Sequence, residues 1–334
     1  MGMPREDRRQ PCVRFRPGLE RRTLGADRLR AKVMAGQACR TTFFTAADRR
    51  YELFVLPYAA SVLAHNVDAR LEICLHDADG FERRNADALR LLAEAYGDGR
   101  LLLRNTESVG VSPNSARFLE TPKVLTEYTY IGDIDILVLE AVSDIHIERM
   151  DELGLPYSNQ VRTGRRALSG LHFTRSDAYY PVVPPDGNPH GDEALLYALV
   201  TARGWATPPE GVKRPGVHGY HMSPNRSPLS PQADSRSTVA WGLGRSEAHL
   251  SAYRALKQSD LWCELFPILD VRYRLLLGLL DLGLAWRYPG EVLRPSREVE
   301  GLLRNVDLVR GIVAMPDRRA GQADQEVAGD AASD

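Results

Sequence analysis

The pattern of the sequence predicts an α/β fold with a largely parallel central sheet and a helical C-terminal region. Short runs of β-forming residues alternate with segments in which apolar residues recur at helical spacing. Polar and acidic residues follow two of the predicted strands, where ligands bind in open sheets of this class. With 334 residues, the chain can bury roughly three quarters of its unfolded surface and could form one large domain or two.

The first predicted elements alternate regularly between strand and helix. Strands are expected at 41–45, 71–75 and 101–103, and helices at 51–65, 85–96 and about 116–125. Pro57 predicts a kink or a late start in the first helix, because proline lacks the amide hydrogen of a helix interior. This alternation favours parallel strands joined by helices.

An acidic pair then interrupts a strand-forming segment. Asp133 and Asp135 lie between the β-type runs 128–131 and 134–139. Side chains two residues apart on an extended chain point the same way, so the two carboxylates are expected to project together. A hard divalent cation relieves their repulsion, and Gly132 lets a ligand approach closely. The alternative is a strand end that carries two solvated acids.

The second half of the chain predicts a further strand, an acidic helix start and a helical region. The strand is expected at 165–174 with an interruption at Ser169 and Gly170, and the helix at 192–203. Segment 208–234 is rich in Pro, Gly and Ser, and helical periodicity returns after Trp241. We therefore predict four regions, an Arg-rich extension (1–40), an α/β domain (41–234), a helical region (235–315) and a disordered tail (316–334).

Composition limits the kinds of partner and compartment that are expected. A formal net charge of -1 provides no global field that would recruit nucleic acid. The four cysteines form no CxxC pair, so neither a zinc site nor a disulfide framework is predicted. No signal-type segment is evident, and the apolar run 275–280 is too short to span a bilayer. A cytoplasmic location is expected, with weak peripheral membrane contact and a homodimer as further possibilities.

Five sequence blocks, taken together and in this order, resemble the glycosyltransferases of family 8, the group of glycogenin and bacterial galactosyltransferases. The acidic pair corresponds to that family's DxD metal motif. The blocks are Thr45-Ala-Ala-Asp48 followed by Tyr51, Gly132-Asp-Ile-Asp135, Ser169-Gly170, Gly191-Asp-Glu193, and His218-Gly-Tyr-His221 with Arg226.

The resemblance implies a GT-A-like nucleotide-diphospho-sugar transferase fold. It also implies metal-dependent transfer of a hexose, with retained configuration, to a hydroxyl of a glycan, a lipid-linked acceptor or a small molecule. A UDP-sugar is the expected donor. Mn²⁺, or else Mg²⁺, is expected to be held by Asp133, Asp135 and an imidazole, with His221 favoured over His218.

Further residues receive roles from the same resemblance. Asp192 falls where the family commonly has a Gln below the reacting carbon, so Asp192 and Glu193 are the candidate catalytic residues. A carboxylate there could stabilise an oxocarbenium-like transition state or attack it. An ordinary helix N-terminus with favourable acids is the alternative. Residues expected to contact the donor nucleotide, diphosphate or sugar are Thr45, Ala46, Asp48, Tyr51, Gly132, Asp133, Ser169, Gly170 and Arg226.

Two other functions compete with this interpretation. The chain could be a non-catalytic nucleotide-sugar-binding protein that keeps the fold without turnover. It could also be a nucleotidyltransferase of the polymerase-β type, whose metal motif is similar. That family needs a Gly-Ser pair about ten residues before the acids, where this chain has Glu120-Thr-Pro-Lys-Val124, so the second alternative fits poorly.

Overall fold

A computed structural model describes residues 39–108, 110–183, 185, 191–223, 247–288 and 301. Arg226, the predicted disordered tail and all but the last two residues of the predicted N-terminal extension lie outside these residues. The strands are β1 Thr41–Ala47, β2 Ala69–Leu75, β3 Leu101–Asn105, β4 Tyr128–Ile131, β5 Ile136–Val138, β6 Tyr157–Ser158, β7 His172–Arg175 and β8 Gly219–His221. The helices are α1 Val55–His65, α2 Ala78–Arg84, α3 Ala86–Tyr96, α4 Pro113–Leu119, α5 Ser143–Leu153, α6 Ser176–Tyr179, α7 Asp192–Ala202, α8 Glu247–Gln258, α9 Asp260–Leu265 and α10 Val271–Arg287.

The main sheet has the strand order β3-β2-β1-β4-β7-β6. Strands β3, β2, β1 and β4 are parallel, and β7 runs antiparallel to both of its neighbours, β4 and β6. Strands β5 and β8 form a separate antiparallel pair. The predicted α/β class, with a mostly parallel sheet and C-terminal helices, is thus confirmed.

Strand β1 lies at the centre of the sheet and is buried along its whole length. The chain moves from β1 to β2 and β3 on one side and then returns to place β4 on the other. The strand order therefore reverses between β1 and β4, and such a reversal opens a crevice at the carboxyl ends of the strands. Both the segment after β1 and the acidic pair after β4 lie at this edge.

The C-terminal helices pack against the same core as the sheet. Tyr273 of α10 contacts Phe54 edge to face, with ring centroids 5.6 Å apart. Leu265, Leu269 and Leu276 are buried in that core, and Leu261 is partly buried against it. Among the described residues, no helix is both long and apolar enough to cross a membrane.

The structure corrects several details of the sequence interpretation. Helix α4 begins at Pro113 and ends at Leu119, so the predicted helical extension to Leu125 is wrong. Pro122 disfavours helix at the residue before it, whereas Pro113 suits a first helical turn. The strand predicted from Ile134 begins only at Ile136, because Ile134 and Asp135 form a turn. The strand predicted at 165–174 is regular only over His172–Arg175. Helices α2, α5 and α6 and strands β6 and β8 were not predicted.

Candidate functional site

The turn that carries the acidic pair is fixed to the end of β1. The Thr45 hydroxyl donates a hydrogen bond of 2.8 Å to the carbonyl of Gly132, and the Gly132 amide donates to the carbonyl of Phe44 at 3.3 Å. Thr45 is fully buried and Ala46 is 7% exposed. These two residues, predicted to contact the donor, therefore lie beneath the surface, and Thr45 holds the turn in place.

Strand β8 brings an imidazole to the acidic turn. His221 pairs with Ile136 across the two-stranded sheet, and the Met222 amide donates to the Asp135 carbonyl at 2.6 Å. His221 Nε2 lies 3.0 Å from Asp135 Oδ1 and 3.9 Å from Asp133 Oδ2. The three predicted metal ligands thus lie close together because Asp133 and Asp135 lie at a turn and not because they lie on an extended strand.

This cluster fits a divalent metal ion. One potential ligand atom from each of Asp133, Asp135 and His221 lies within 4.8 Å of the other two. Adjacent ligands of an ion with bonds of about 2.1 Å lie roughly 3 Å apart, so small side-chain adjustments suffice. Two carboxylates with one imidazole suit Mn²⁺, while Mg²⁺ prefers oxygen ligands alone.

Arg117 of α4 is a site residue that the sequence interpretation missed. It is 3% exposed and donates to Asp133 Oδ1, to the Gly132 carbonyl at 2.7 Å and to Asp192 Oδ2 at 3.3 Å. A buried guanidinium needs such anionic partners, because its desolvation is costly. The feature of the sequence that could have indicated Arg117 is its place between the apolar residues Ala116 and Phe118 in a short helix.

Gly170 lies directly against this arginine and its two aspartates. A Cβ atom at Gly170 would lie 3.1 Å from Arg117 Nη2, 3.8 Å from Asp192 Oδ2 and 3.9 Å from Asp133 Oδ1. The Ser-Gly, Asp-Ile-Asp and Asp-Glu blocks therefore meet in space. Ser169 itself is buried, and its hydroxyl accepts a hydrogen bond of 2.7 Å from Arg214 Nε.

The two candidate catalytic acids of α7 have different surroundings. Asp192 shares Arg117 with Asp133, as described above. Glu193 accepts hydrogen bonds from Arg162 Nε at 3.0 and 3.1 Å and from the Gly170 amide at 3.3 Å. The structure places Asp192 beside the acidic cluster, whereas Glu193 holds the segment that precedes Gly170.

His218, the second imidazole considered as a metal ligand, has other partners. It is 1% exposed, its Nδ1 lies 2.8 Å from Glu140 Oε1 and its Nε2 lies 2.9 Å from His146 Nε2. Both ring nitrogens are thus engaged inside the protein. The structure brings His221, and not His218, to the two aspartates.

A cleft of about 550 Å³ opens beyond the carboxyl ends of β1, β2 and β3. Its lining includes Asp48, Arg49, Arg50, His76, Ser108 and Val111. The backbone amides of Arg50 and Tyr51 donate to Asp48 Oδ1 at 3.0 and 3.2 Å, which fixes the loop at the cleft entrance. The Tyr51 ring packs against Phe54, with centroids 5.7 Å apart, on the core side of this loop.

Comparisons with known proteins find likenesses among solved structures. No family model matches the chain, and no curated protein matches it in sequence. A solved structure of the mannosyltransferase PcManGT from Pyrobaculum calidifontis, in complex with GDP-Man and Mn²⁺, is similar over 87% of this chain and 92% of that chain. The sequence identity is 14% and the TM-score is 0.37. The relationship to glycosyltransferase family 8 stays a resemblance carried by the sequence blocks.

Proposed function

We propose that this chain is a metal-dependent glycosyltransferase that moves a hexose from a nucleotide-diphosphate sugar to a hydroxyl acceptor, on a GT-A-like fold. The observation that supports this most strongly is the meeting of Asp133, Asp135 and His221, with ligand atoms within 4.8 Å of one another. The cluster lies at the crevice edge of a parallel sheet, where nucleotides bind in folds of this class.

The charge distribution around the cluster suits a departing diphosphate. Breaking the bond between the anomeric carbon and the diphosphate leaves extra negative charge on the leaving oxygen. Mn²⁺ or Mg²⁺, when bound, supplies the positive charge that stabilises this oxygen. Asp133, Asp135 and His221 would hold the ion, Arg117 orients Asp133, and Thr45 fixes the turn.

The donor sugar fits best next to Gly170 and Asp192. The missing side chain at Gly170 leaves room beside Arg117 and both aspartates. The Asp192 carboxylate is 30% exposed, so it can face positive charge developing at the anomeric carbon, as a stabiliser or as a nucleophile. Glu193 orients Gly170 through the amide that it binds. Retention of configuration remains the expectation that the family resemblance carries.

The nucleotide fits the cleft beyond β1, β2 and β3. Asp48 and Ser108 offer hydrogen-bonding groups to a base or a ribose, and Arg49 and Arg50 offer positive charge. A UDP-sugar is the donor that the resemblance implies. The same resemblance gives Arg226 a role at the diphosphate.

A non-catalytic nucleotide-sugar-binding protein is the second candidate. One observation favours it. Both candidate catalytic carboxylates accept hydrogen bonds from arginines, Asp192 from Arg117 and Glu193 from Arg162. An ion pair lowers the nucleophilicity of a carboxylate, so binding without turnover is a coherent alternative.

Release of nucleoside diphosphate distinguishes the two candidates. The full chain is incubated with Mn²⁺, a panel of UDP- and GDP-linked hexoses and a set of sugar acceptors. We expect nucleoside diphosphate release from one donor class, with loss of release after chelation of the metal. Tight donor binding without release would favour the binding protein. Failure to bind any member of the panel would overturn both candidates.

A further inference from the structure

A chain of polar side chains, all buried except the partly exposed Glu140, lies behind the candidate metal cluster and uses none of its ligands. Ser158 Oγ lies 2.8 Å from His146 Nδ1, His146 Nε2 lies 2.9 Å from His218 Nε2, and His218 Nδ1 lies 2.8 Å from Glu140 Oε1. Ser158, His146 and His218 are each at most 1% exposed. We call this set the Glu140 network.

The donor and the acceptor of each hydrogen bond in the Glu140 network can be assigned. Hydrogen bonding from His218, with a further contribution from His249, lowers the pKa of Glu140 to about 2, so the carboxylate accepts and His218 Nδ1 donates. Burial lowers the pKa of His218 and of His146, and both rings are neutral. His218 Nε2 therefore accepts from His146 Nε2, and His146 Nδ1 accepts from the Ser158 hydroxyl. Every member has a satisfied partner, which holds each ring in one orientation.

Helix α8 contacts the same network from the C-terminal region. His249 Nε2 lies 3.1 Å from Glu140 Oε2. Tyr220, the residue before His221, packs edge to face on His249 and Tyr253 of α8, with centroid distances of 6.3 and 5.8 Å. Strand β8 is thus held between β5 on one side and α8 on the other.

The backbone that leads into β8 needs such support. His218 has a φ of 63°, in the left-handed region that a side-chain-bearing residue seldom adopts without compensating contacts. Its carbonyl accepts from the Leu139 amide at 2.8 Å, and its ring makes the two hydrogen bonds described above. Strand β8 contains only three residues, and His218 directly precedes it.

We propose that Glu140 is a positioning residue of the metal site, which fixes β8 through His218 and through His249 of α8 so that His221 faces Asp133 and Asp135. This inference rests on the proposed function, because it needs the metal cluster. It assigns helix α8 of the C-terminal region to the support of the metal site. Residues that do not bind the metal themselves but orient a metal-binding side chain strongly influence metal affinity.

Mn²⁺ affinity separates a positioning role from a purely structural one. The full chain is titrated with Mn²⁺ alone, and free Mn²⁺ is followed by electron paramagnetic resonance. Glu140→Gln is expected to weaken binding about tenfold, because a neutral amide oxygen accepts more weakly from His218 Nδ1 than the carboxylate does. A purely structural role would lower the unfolding midpoint and leave the Mn²⁺ affinity of the folded protein unchanged.

Glu120→Gln is the matched control. Glu120 is another hydrogen-bonded carboxylate whose pKa falls to about 2, here through bonds from Thr106, the Ser108 amide and Arg104 that outweigh the effect of burial. Its loss is expected to lower stability while Mn²⁺ binds as in the wild type. Equal weakening of Mn²⁺ binding in Glu120→Gln and Glu140→Gln would overturn the positioning role.

A second variant keeps the inference testable if Glu140→Gln does not fold. His249→Phe keeps an aromatic ring against Tyr220 but removes the contact with Glu140, and a smaller loss of Mn²⁺ affinity in the same direction is expected. Wild-type affinity in His249→Phe would overturn the part assigned to α8. If the wild-type chain binds no Mn²⁺, the metal cluster and the proposed function fail together with this inference. If wild-type Mn²⁺ binding persists in every folded variant, only the positioning role fails.

Discussion

At the scale of single residues, Arg117 joins the parts of the candidate site. One buried guanidinium contacts Asp133, the Gly132 carbonyl and Asp192, which come from two distant segments. Asp133 and Asp135 could be predicted from the sequence because their residue types and local spacing indicate metal binding, whereas His221 was implied by the resemblance to family 8. Arg117 could not, since its role depends on how α4 packs against the ends of β4 and α7.

Replacing Arg117 tests this joining role. Arg117→Met leaves two carboxylates without their cation, so the free energy of unfolding is expected to fall by about 3 kcal/mol. Added Mn²⁺ is expected to restore part of the loss, because the ion neutralises Asp133. Urea denaturation with and without Mn²⁺ measures both effects. Arg90→Met, which removes an exposed pair on α3, should change stability by less than about 0.5 kcal/mol, and a similar loss in both variants would contradict the account.

A buried histidine gives the chain a pH-dependent stability. Burial lowers the pKa of His172 to about 3, whereas the unfolded value is about 6.5. The unfolded state therefore binds more protons between these values, and the free energy of unfolding falls by about 1.4 kcal/mol for each pH unit below 6.5. Urea denaturation between pH 6.5 and 4.5 measures how the free energy of unfolding changes with pH. His172→Gln is expected to reduce this slope by the equivalent of about one bound proton. Parallel pH profiles for the two proteins would contradict this cause.

At the scale of elements, β8 shows where sequence patterns stop being informative. Before Glu140, the spacing of apolar residues was clear enough to locate most strands and helices, because each of these elements repeats one spacing over several residues. Strand β8 spans Gly219–His221 within a stretch rich in Pro and Gly. Its position is fixed by pairing with β5, a contact between segments about 80 residues apart. Such pairing leaves no local pattern in the sequence.

The approach of β8 to β5 depends on a glycine. A Cβ atom at Gly219 would lie 1.9 Å from the Leu137 carbonyl oxygen, closer than any real contact. Gly219→Ala is therefore expected to push β8 away from β5 and to remove His221 from the aspartates. Mn²⁺ titration is expected to show at least a tenfold loss of affinity, with the circular dichroism of the central sheet and helices retained.

Gly216→Ala is the control for this element. The nearest atom to a Cβ at Gly216 is the His218 amide nitrogen at 4.0 Å, so the added methyl group fits without displacement. Mn²⁺ is expected to bind Gly216→Ala as it binds the wild type. If Gly219→Ala also binds Mn²⁺ normally, the placement of His221 through β8 is contradicted.

At the scale of the whole molecule, the site lies where the sheet and the surrounding helices meet. The switch between β1 and β4 supplies the acidic turn, α4 and α7 supply the arginine and the neighbouring acids, and α8 supports the strand that carries His221. The α/β class could be predicted because it follows from the repeated alternation of strands and helices. The involvement of α8 could not, because it depends on contacts between regions far apart in the sequence.

The most direct test of the central claim compares Mn²⁺ binding by the wild-type chain with binding by Asp135→Asn. Asp135 is 6% exposed, and the amide keeps its shape while removing one anionic ligand. We expect Mn²⁺ to bind the wild type and Asp87→Asn, an exposed control on α3, with equal affinity. Asp135→Asn is expected to lose at least tenfold in affinity and to release no nucleoside diphosphate from a donor that the wild type cleaves. Unchanged Mn²⁺ affinity in a folded Asp135→Asn variant would contradict the metal site at Asp133, Asp135 and His221.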